Sequence, residues 1–206
     1  MKEFGTAIIL AGGKSSRMGF DKQFLKIKER LLIENLIQRL KPSFSEIVIV
    51  TNRPEEYKSL PVIVTQDVFK GIGPLAGIHA GLLKSTSHFS YIIACDMPNI
   101  NIEFINYMKS QITGSDKKAA IARFKEWVEP FNAFYSKDII EVLEDFLELG
   151  GRSVSRFSNN LDAYFIEEEK AREFSQNWDM FYNLNTKDDI NEYLENIDCM
   201  GRFVWK

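Results

Sequence analysis

A glycine-rich segment carrying positive charge directly follows the first apolar run of the chain. The apolar run TAIIL leads into LAGGKSSRMGFDK, residues 10–22. Gly12 and Gly13 would let backbone N–H groups approach phosphate oxygens closely, because glycine has no Cβ in the way. Arg17 and Lys22 would supply positive charge opposite the phosphates. A tight turn with solvated charges explains the glycine pair equally well, so both interpretations stay open on the glycines alone.

Two aspartates follow later apolar runs and are candidate ligand contacts. Asp96 comes directly after SYIIAC and is followed by Met-Pro. Mg²⁺ takes few protein carboxylates and completes its shell with water and phosphate oxygens, so this position favours metal binding over a helix cap. Asp67, shortly after PVIVT, would accept hydrogen bonds from a nucleotide base or ribose. Asn52 is either a base or ribose contact or a turn asparagine.

These polar positions need a scaffold, and the pattern around them predicts one. Apolar runs at 6–10, 46–50, 61–65 and 90–95 alternate with segments of helical period. Such alternation predicts an α/β fold, with a mostly parallel central sheet and helices on both faces. Ligands bind beyond the carboxyl ends of the strands in sheets of this kind, which is where the candidate residues stand.

The second half of the chain predicts an antiparallel element and a further set of helices. AAIARF, EPFNAFYS and LDAYFIE have the composition of strands. Asn101 is an expected helix cap, and Thr186 and Asp189 are spaced like a capping box. In the first half, the small residues Gly77 and Gly81 predict a helix packed closely against the sheet.

Bulk composition excludes several classes of protein. The chain has 206 residues, of which 45% are hydrophobic and 27% charged, as in one ordinary globular domain. A net charge of −3 offers no basic face for nucleic acid. No apolar run reaches membrane-spanning length, and two cysteines provide no disulfide framework. We therefore expect a cytoplasmic protein that binds neither nucleic acid nor membrane.

The segment at 10–22 resembles the signature of the molybdenum cofactor guanylyltransferases. That signature reads Leu-Ala-Gly-Gly, then Ser-x-Arg-Met-Gly and a spaced Asp-Lys, and the chain carries every part of it. The related cytidylyltransferases read Leu-Ala-Ala-Gly, so Gly12 favours the guanylyl branch. Five further segments of the chain resemble other sequence blocks of this family, namely VTNRPEEY, QDVFKGIGPLAGIHAGL, ACDMP, GGRSVSRF and FYNLNT.

The resemblance implies a single Rossmann-like nucleotidyltransferase domain that transfers GMP from GTP to the terminal phosphate of molybdopterin and releases pyrophosphate. It implies a nucleotide-binding half at about 1–98, an acceptor-binding half at about 99–196 and a C-terminal tail at 197–206. Mg²⁺ is the implied cofactor, and receiving molybdoenzymes or their chaperones are implied partners. The resemblance implies that the catalytic residues are Arg17, Lys22 and Asp96, and that Asp96 is also the metal ligand. The residues it implies for nucleotide binding are Leu10, Ala11, Gly12, Gly13, Lys22, Asn52, Asp67 and Asp96. Those it implies for acceptor binding are Arg152, Asn183 and Asn185.

Two other functions remain open at the level of sequence. One is a transferase of the same fold that uses CTP or a different phosphorylated acceptor. The other is a noncatalytic module that only binds a nucleotide. Release of pyrophosphate separates the module from both transferases, and the choice of nucleotide separates the transferases from each other.

Overall fold

The apolar runs of the sequence form the strands of the structure. The computed structural model describes residues 2–12, 26–27 and 30–201. Its strands, in chain order, are β1 (Thr6–Leu10), β2 (Lys26–Ile27), β3 (Arg30–Leu31), β4 (Glu46–Val50), β5 (Ile63–Thr65), β6 (Phe89–Ala94), β7 (Ala119–Phe124), β8 (Trp127–Ser136) and β9 (Ala163–Glu167).

One mixed sheet runs through the described part of the chain. It has seven strands in the order β5-β4-β1-β6-β8-β7-β9, and β2 and β3 pair with each other in a separate two-stranded antiparallel sheet. β1 pairs in parallel with β4 and β6, and β4 pairs in parallel with β5. β8 runs antiparallel to both β6 and β7, whereas β9 is parallel to β7. The predicted single α/β domain, mostly parallel with an antiparallel element in its second half, is confirmed.

Helices cover both faces of this sheet, as the strand–helix alternation predicts. They are α1 (Leu32–Leu40), α2 (Pro74–Lys84), α3 (Ile102–Ile112), α4 (Ile140–Glu148), α5 (Val154–Asn159), α6 (Glu168–Arg172) and α7 (Lys187–Gly201). Residues of α1, α3 and α6 join one apolar cluster, and residues of α2, α4 and α5 join a second cluster on the other face. Within the described ranges, no helix is long and apolar enough to span a bilayer.

The predicted helix caps are present and fix where two helices begin. The Asn101 side chain accepts a hydrogen bond from the Phe104 N–H at 2.9 Å, which starts α3. At the start of α7, the Asp189 N–H donates to Thr186 Oγ1 at 3.1 Å. In return, the Thr186 N–H donates to Asp189 Oδ2 at 2.7 Å. These bonds satisfy backbone donors that a helix leaves unpaired in its first turn.

Several boundaries differ from the sequence expectation, mostly by one or two residues. β5 begins at Ile63 rather than at residue 61, β6 covers 89–94 rather than 90–95, and β9 begins at Ala163. The short elements β2, β3, α5 and α6 have no counterpart in the prediction. Two to six residues are too few to show a hydrophobic period, so such elements depend on tertiary contacts.

The expected close packing of α2 on the sheet is visible at Gly81. A Cβ added there would lie 2.5 Å from Ile8 Cγ2 and 3.3 Å from Val50 Cγ2. Both neighbours are branched side chains of central strands and are almost fully buried. Glycine at this position therefore lets the helix approach the sheet more closely than any other residue would.

We predict that Gly81→Ala destabilises the fold by about 1–3 kcal/mol, because overpacking a filled core forces neighbouring side chains and backbone to shift. The helix propensity of alanine, about 1 kcal/mol better than glycine, offsets only part of this loss. Denaturant unfolding measures the change. Lys84→Ala, at an exposed position of the same helix, should change stability by less than about 0.5 kcal/mol. Equal stability of Gly81→Ala and the wild type would contradict the close packing.

Candidate functional site

The carboxyl ends of four parallel strands, β1, β4, β5 and β6, meet at one edge of the sheet, here called the carboxyl edge. Backbone hydrogen bonds continue past the strand ends. The Ala11 N–H donates to the Val50 carbonyl at 2.8 Å, and the Cys95 N–H donates to the Leu10 carbonyl at 3.0 Å. The chain segments that leave β1, β4 and β6 therefore start side by side. This is where ligands bind in open α/β sheets.

Two predicted nucleotide-binding positions lie next to each other on this edge. Gly12 is exposed, and a Cβ built on it would lie 3.8 Å from Nδ2 of Asn52. The exposed Asn52 amide, which follows β4, thus borders the backbone that follows β1. Gly13, Arg17 and Lys22 lie outside the described residues, so their predicted roles stay predictions.

A second group of predicted nucleotide contacts gathers around the N-terminal part of α2. A Cβ built on Gly77 would lie 3.2 Å from Leu10 Cδ2 and 3.7 Å from Asp67 Oδ1. The absence of a side chain at Gly77 therefore leaves room for Leu10 and Asp67 beside the helix. Asp67 is half-buried, and this burial raises the pKa of its carboxyl because desolvation disfavours the charged form.

Asp96 stands between the nucleotide side and the predicted acceptor side. It follows β6 and is half-buried, and its backbone carbonyl accepts a hydrogen bond from the Leu184 N–H at 2.9 Å. That bond places the segment containing Asn183 and Asn185 directly beside Asp96. Asn183 is half-buried and donates through Nδ2 to the Phe181 carbonyl at 3.1 Å, whereas Asn185 is exposed.

Arg152 has a different location. It is exposed in the connection between α4 and α5, and these helices pack with α2 in the second apolar cluster. Met180 and Phe181, which precede the two asparagines, belong to the cluster on the opposite face. The grouping of Arg152 with Asn183 and Asn185 therefore stays a prediction.

The donor set at the carboxyl edge fits a hard divalent cation held largely by its substrate. Asp96 offers a carboxylate at the end of a rigid strand. The described ranges contain no group of three or more histidine, cysteine, aspartate or glutamate side chains that would form a complete metal cage. A cation bound through Asp96 would take its other ligands from water and phosphate oxygens, which is the usual pattern for Mg²⁺.

The start of β8 also reaches the carboxyl edge, a placement that the sequence did not predict. β8 is antiparallel to β6, with Ile92 opposite Ala133, so the earlier residues of β8 extend toward the end of β6. Trp127 is 60% exposed, and its indole N–H donates to Glu129 Oε1 at 3.1 Å. Burial raises the pKa of the Glu129 carboxyl. No local pattern signals this placement, because it depends on the direction of the strand.

Comparison with solved structures identifies the class of fold. The chain is similar to the crystal structure of molybdopterin-guanine dinucleotide biosynthesis protein A from Archaeoglobus fulgidus, with a TM-score of 0.81 and 26% identity. The match covers 94% of this chain and 98% of that one. The mixed sheet and its carboxyl edge are therefore those of a nucleotidyltransferase domain.

Residues 7–164 match the family described as MobA-like NTP transferase domain, and the chain belongs to this family. A molybdenum cofactor guanylyltransferase from Syntrophotalea carbinolica is 47% identical, and the match covers 93% of this chain and 91% of that relative. A probable molybdenum cofactor guanylyltransferase from Peptoclostridium acidaminophilum is 49% identical, with 93% and 89% covered.

We predict that Asp67→Asn raises the melting temperature at neutral pH. Because the folded-state pKa of Asp67 is raised, its protonated form stabilises the fold below the unfolded-state pKa of about 3.9. That stability is lost as pH rises through the folded-state pKa, and the uncharged asparagine avoids the loss. The gain should therefore shrink as pH falls toward about 4. If the difference in melting temperature between Asp67→Asn and the wild type did not depend on pH, the raised pKa of Asp67 would be contradicted.

Proposed function

We propose that this protein transfers GMP from GTP to the terminal phosphate of molybdopterin, which forms molybdopterin guanine dinucleotide and releases pyrophosphate. The observation that carries the proposal is the arrangement around Asp96. The nucleotide-side positions Gly12 and Asn52 lie on one part of the carboxyl edge, and the Leu184 N–H holds the acceptor-side segment against Asp96. The names of the similar relatives, and the large share of each chain that the matches cover, support the choice of substrates.

The proposed reaction is an in-line displacement at phosphorus. A terminal phosphate oxygen of molybdopterin forms a bond to the α-phosphorus of GTP, while the bond from that phosphorus to the pyrophosphate oxygen breaks. The attacking oxygen is already anionic, so the reaction needs no general base. It needs alignment of two anions that repel each other, together with neutralisation of the charge that develops on the leaving group.

Each part of the carboxyl edge has a proposed role in this alignment. The backbone of the glycine-rich segment would contact the phosphates. The Asn52 amide would donate or accept hydrogen bonds at the base or ribose, and the Asp67 carboxylate would accept them there. Asn183 and Asn185 would bind the pterin side. The remaining proposed contacts are Leu10, Ala11, Gly12 and Gly13 for the nucleotide, Arg17 and Lys22 for the phosphate charge, and Arg152 for the acceptor.

Asp96 is the proposed ligand of Mg²⁺ bound to the triphosphate. When bound, Mg²⁺ neutralises phosphate charge and stabilises the departing pyrophosphate. The protein contributes a carboxylate at the end of a strand whose central residues are fully buried, so its backbone is held in place by the sheet. The carbonyl of the same residue holds the acceptor-side segment, so one residue would orient both substrates.

We also propose that the protein acts in the cytoplasm and delivers its product to molybdoenzymes or their chaperones. The names of the similar relatives, which are molybdenum cofactor guanylyltransferases, support a product that molybdoenzymes use.

We predict that GTP is the preferred nucleotide. An assay with purified protein, Mg²⁺ and molybdopterin, run separately with GTP, ATP, CTP and UTP, measures pyrophosphate release and the dinucleotide product. GTP should give the highest kcat/KM. If kcat/KM for CTP equalled that for GTP, the protein would be a cytidylyltransferase rather than a guanylyltransferase. Nucleotide binding without pyrophosphate release under any condition would mean that the chain is a binding module.

We predict that Asp96→Asn lowers kcat by about a hundredfold or more, which corresponds to a barrier increase of roughly 3 kcal/mol. Asparagine keeps the size of the side chain and the backbone carbonyl that holds Leu184, but removes the charge a hard cation requires. The melting temperature should stay near that of the wild type. Asp116→Asn, at an exposed position between α3 and β7, is the matched control and should retain full activity. Normal Mg²⁺-dependent turnover by Asp96→Asn would place the metal elsewhere.

A further inference from the structure

Asn132 has an unusual backbone conformation for a residue inside a strand. It lies in β8 with φ of 55°, whereas strand residues normally have φ near −140°. Asparagine is one of the few residues that tolerate this left-handed region. The pairing of β7 with β8 shifts in register at this point, between Ala120 and Ala122. Local strain of this kind persists only where surrounding contacts determine it, and it is often found at functional sites.

The Asn132 side chain joins the sheet to the chain segment that precedes the proposed acceptor residues. Asn132 is fully buried. Its Oδ1 accepts a hydrogen bond from the Tyr91 hydroxyl at 2.6 Å, and its Nδ2 donates to the Met180 carbonyl at 3.1 Å. Tyr91 belongs to β6, the strand that ends beside Asp96. A buried amide with both of its groups bonded has little freedom to move.

Two further asparagines hold the segment from Phe174 to Asn185. Asn99 Nδ2 donates to the Asp179 carbonyl at 3.1 Å, and Asn101 Nδ2 donates to the Phe174 carbonyl at 2.8 Å. Both asparagines belong to the loop that follows Asp96. Asn132 differs from these two because it is buried and because it contacts the segment from the sheet, three residues before Asn183.

We propose that Asn132 is a positioning residue that sets the location of Asn183 and Asn185 relative to Asp96, and thereby the affinity and alignment of the acceptor. This inference rests on the proposed function. The nucleotide-side positions Asn52 and Asp67 follow β4 and β5, and β1 separates these strands from β6. Asn132 therefore controls the acceptor and leaves GTP binding unchanged.

A pair of variants separates positioning from general stability. Asn132→Gly permits the positive φ and removes both side-chain hydrogen bonds, including the bond to Met180. Tyr91→Phe removes only the bond from the tyrosine hydroxyl, so the bond to Met180 remains. Both variants lose buried hydrogen bonding and should melt at lower temperature than the wild type.

The kinetic readout is the KM for each substrate, measured with molybdopterin, GTP and Mg²⁺. Asn132→Gly should raise the KM for molybdopterin about tenfold and lower kcat, since misplacement by about 1 Å costs up to about a hundredfold in rate. Its KM for GTP should stay within about twofold of the wild-type value, as should both KM values of Tyr91→Phe. Equal effects of the two variants on the acceptor KM would overturn the positioning role.

A second readout does not depend on the identity of the acceptor. Hydrogen exchange of the Leu184 amide, which donates to the Asp96 carbonyl, reports whether the segment stays in place. Exchange should be at least about tenfold faster in Asn132→Gly than in Tyr91→Phe, and unchanged exchange would overturn the proposal. If the wild type does not use molybdopterin, the proposed function fails while this measurement still decides the role of Asn132.

A further variant covers the case in which Asn132→Gly does not fold. Asn132→Asp keeps the shape of the side chain, its tolerance of positive φ and the acceptor for Tyr91, but it cannot donate to Met180 when ionised. Because burial favours the protonated carboxyl, which can still donate to Met180, the ratio of its exchange rate at Leu184 to that of Tyr91→Phe should rise with pH as the carboxyl ionises. A ratio that stays constant after the carboxyl has ionised would count against the proposal.

Discussion

The parallel pairing of β1 with both β4 and β6 constrains the whole molecule. Every residue from Thr6 to Leu10 pairs on both sides and is buried. A slip by one residue would exchange the two faces of the strand, so the register is strongly fixed by the two apolar clusters. The ends of the three strands therefore lie level, with Leu10 between Val50 and Ala94. Polar residues that follow these ends are brought together by the sheet rather than by attraction for one another.

The reversed strand β8 extends this edge to the second half of the chain. Because β8 runs against β6, its first residues lie toward the end at which β6 stops. The buried amide of Asn132 then connects β8 to Met180, and the Leu184 amide connects the same segment to Asp96. Polar contacts from the sheet and from the loop after β6 thus hold the segment that carries the proposed acceptor residues.

The candidate site contains local features that the rest of the fold must stabilise. Asp67 keeps a carboxylate in a partly desolvated position, and Asn132 keeps a left-handed backbone inside a strand. Each is unfavourable by itself. Residues that are locally unfavourable are expected at positions where binding, rather than the stability of the fold, determines which residue is present. The large core around β1 provides the stability that offsets them.

The sequence by itself determined the central strands and the caps at Asn101 and Thr186, because these depend on neighbours within a few residues. The small residues of α2 predicted its close packing, although the contacts of Gly81 are with Ile8 and Val50, far away in the chain. The family resemblance, rather than any spacing, pointed to Asp96 together with Asn183 and Asn185 as one site. Tertiary structure decided the short elements, the placement of Trp127 and Glu129, and the bridge from Asn132 to Met180. The bridge joins residues 48 positions apart. No local period encodes such a contact, since it exists only once β8 has paired against β6 and both apolar clusters have packed.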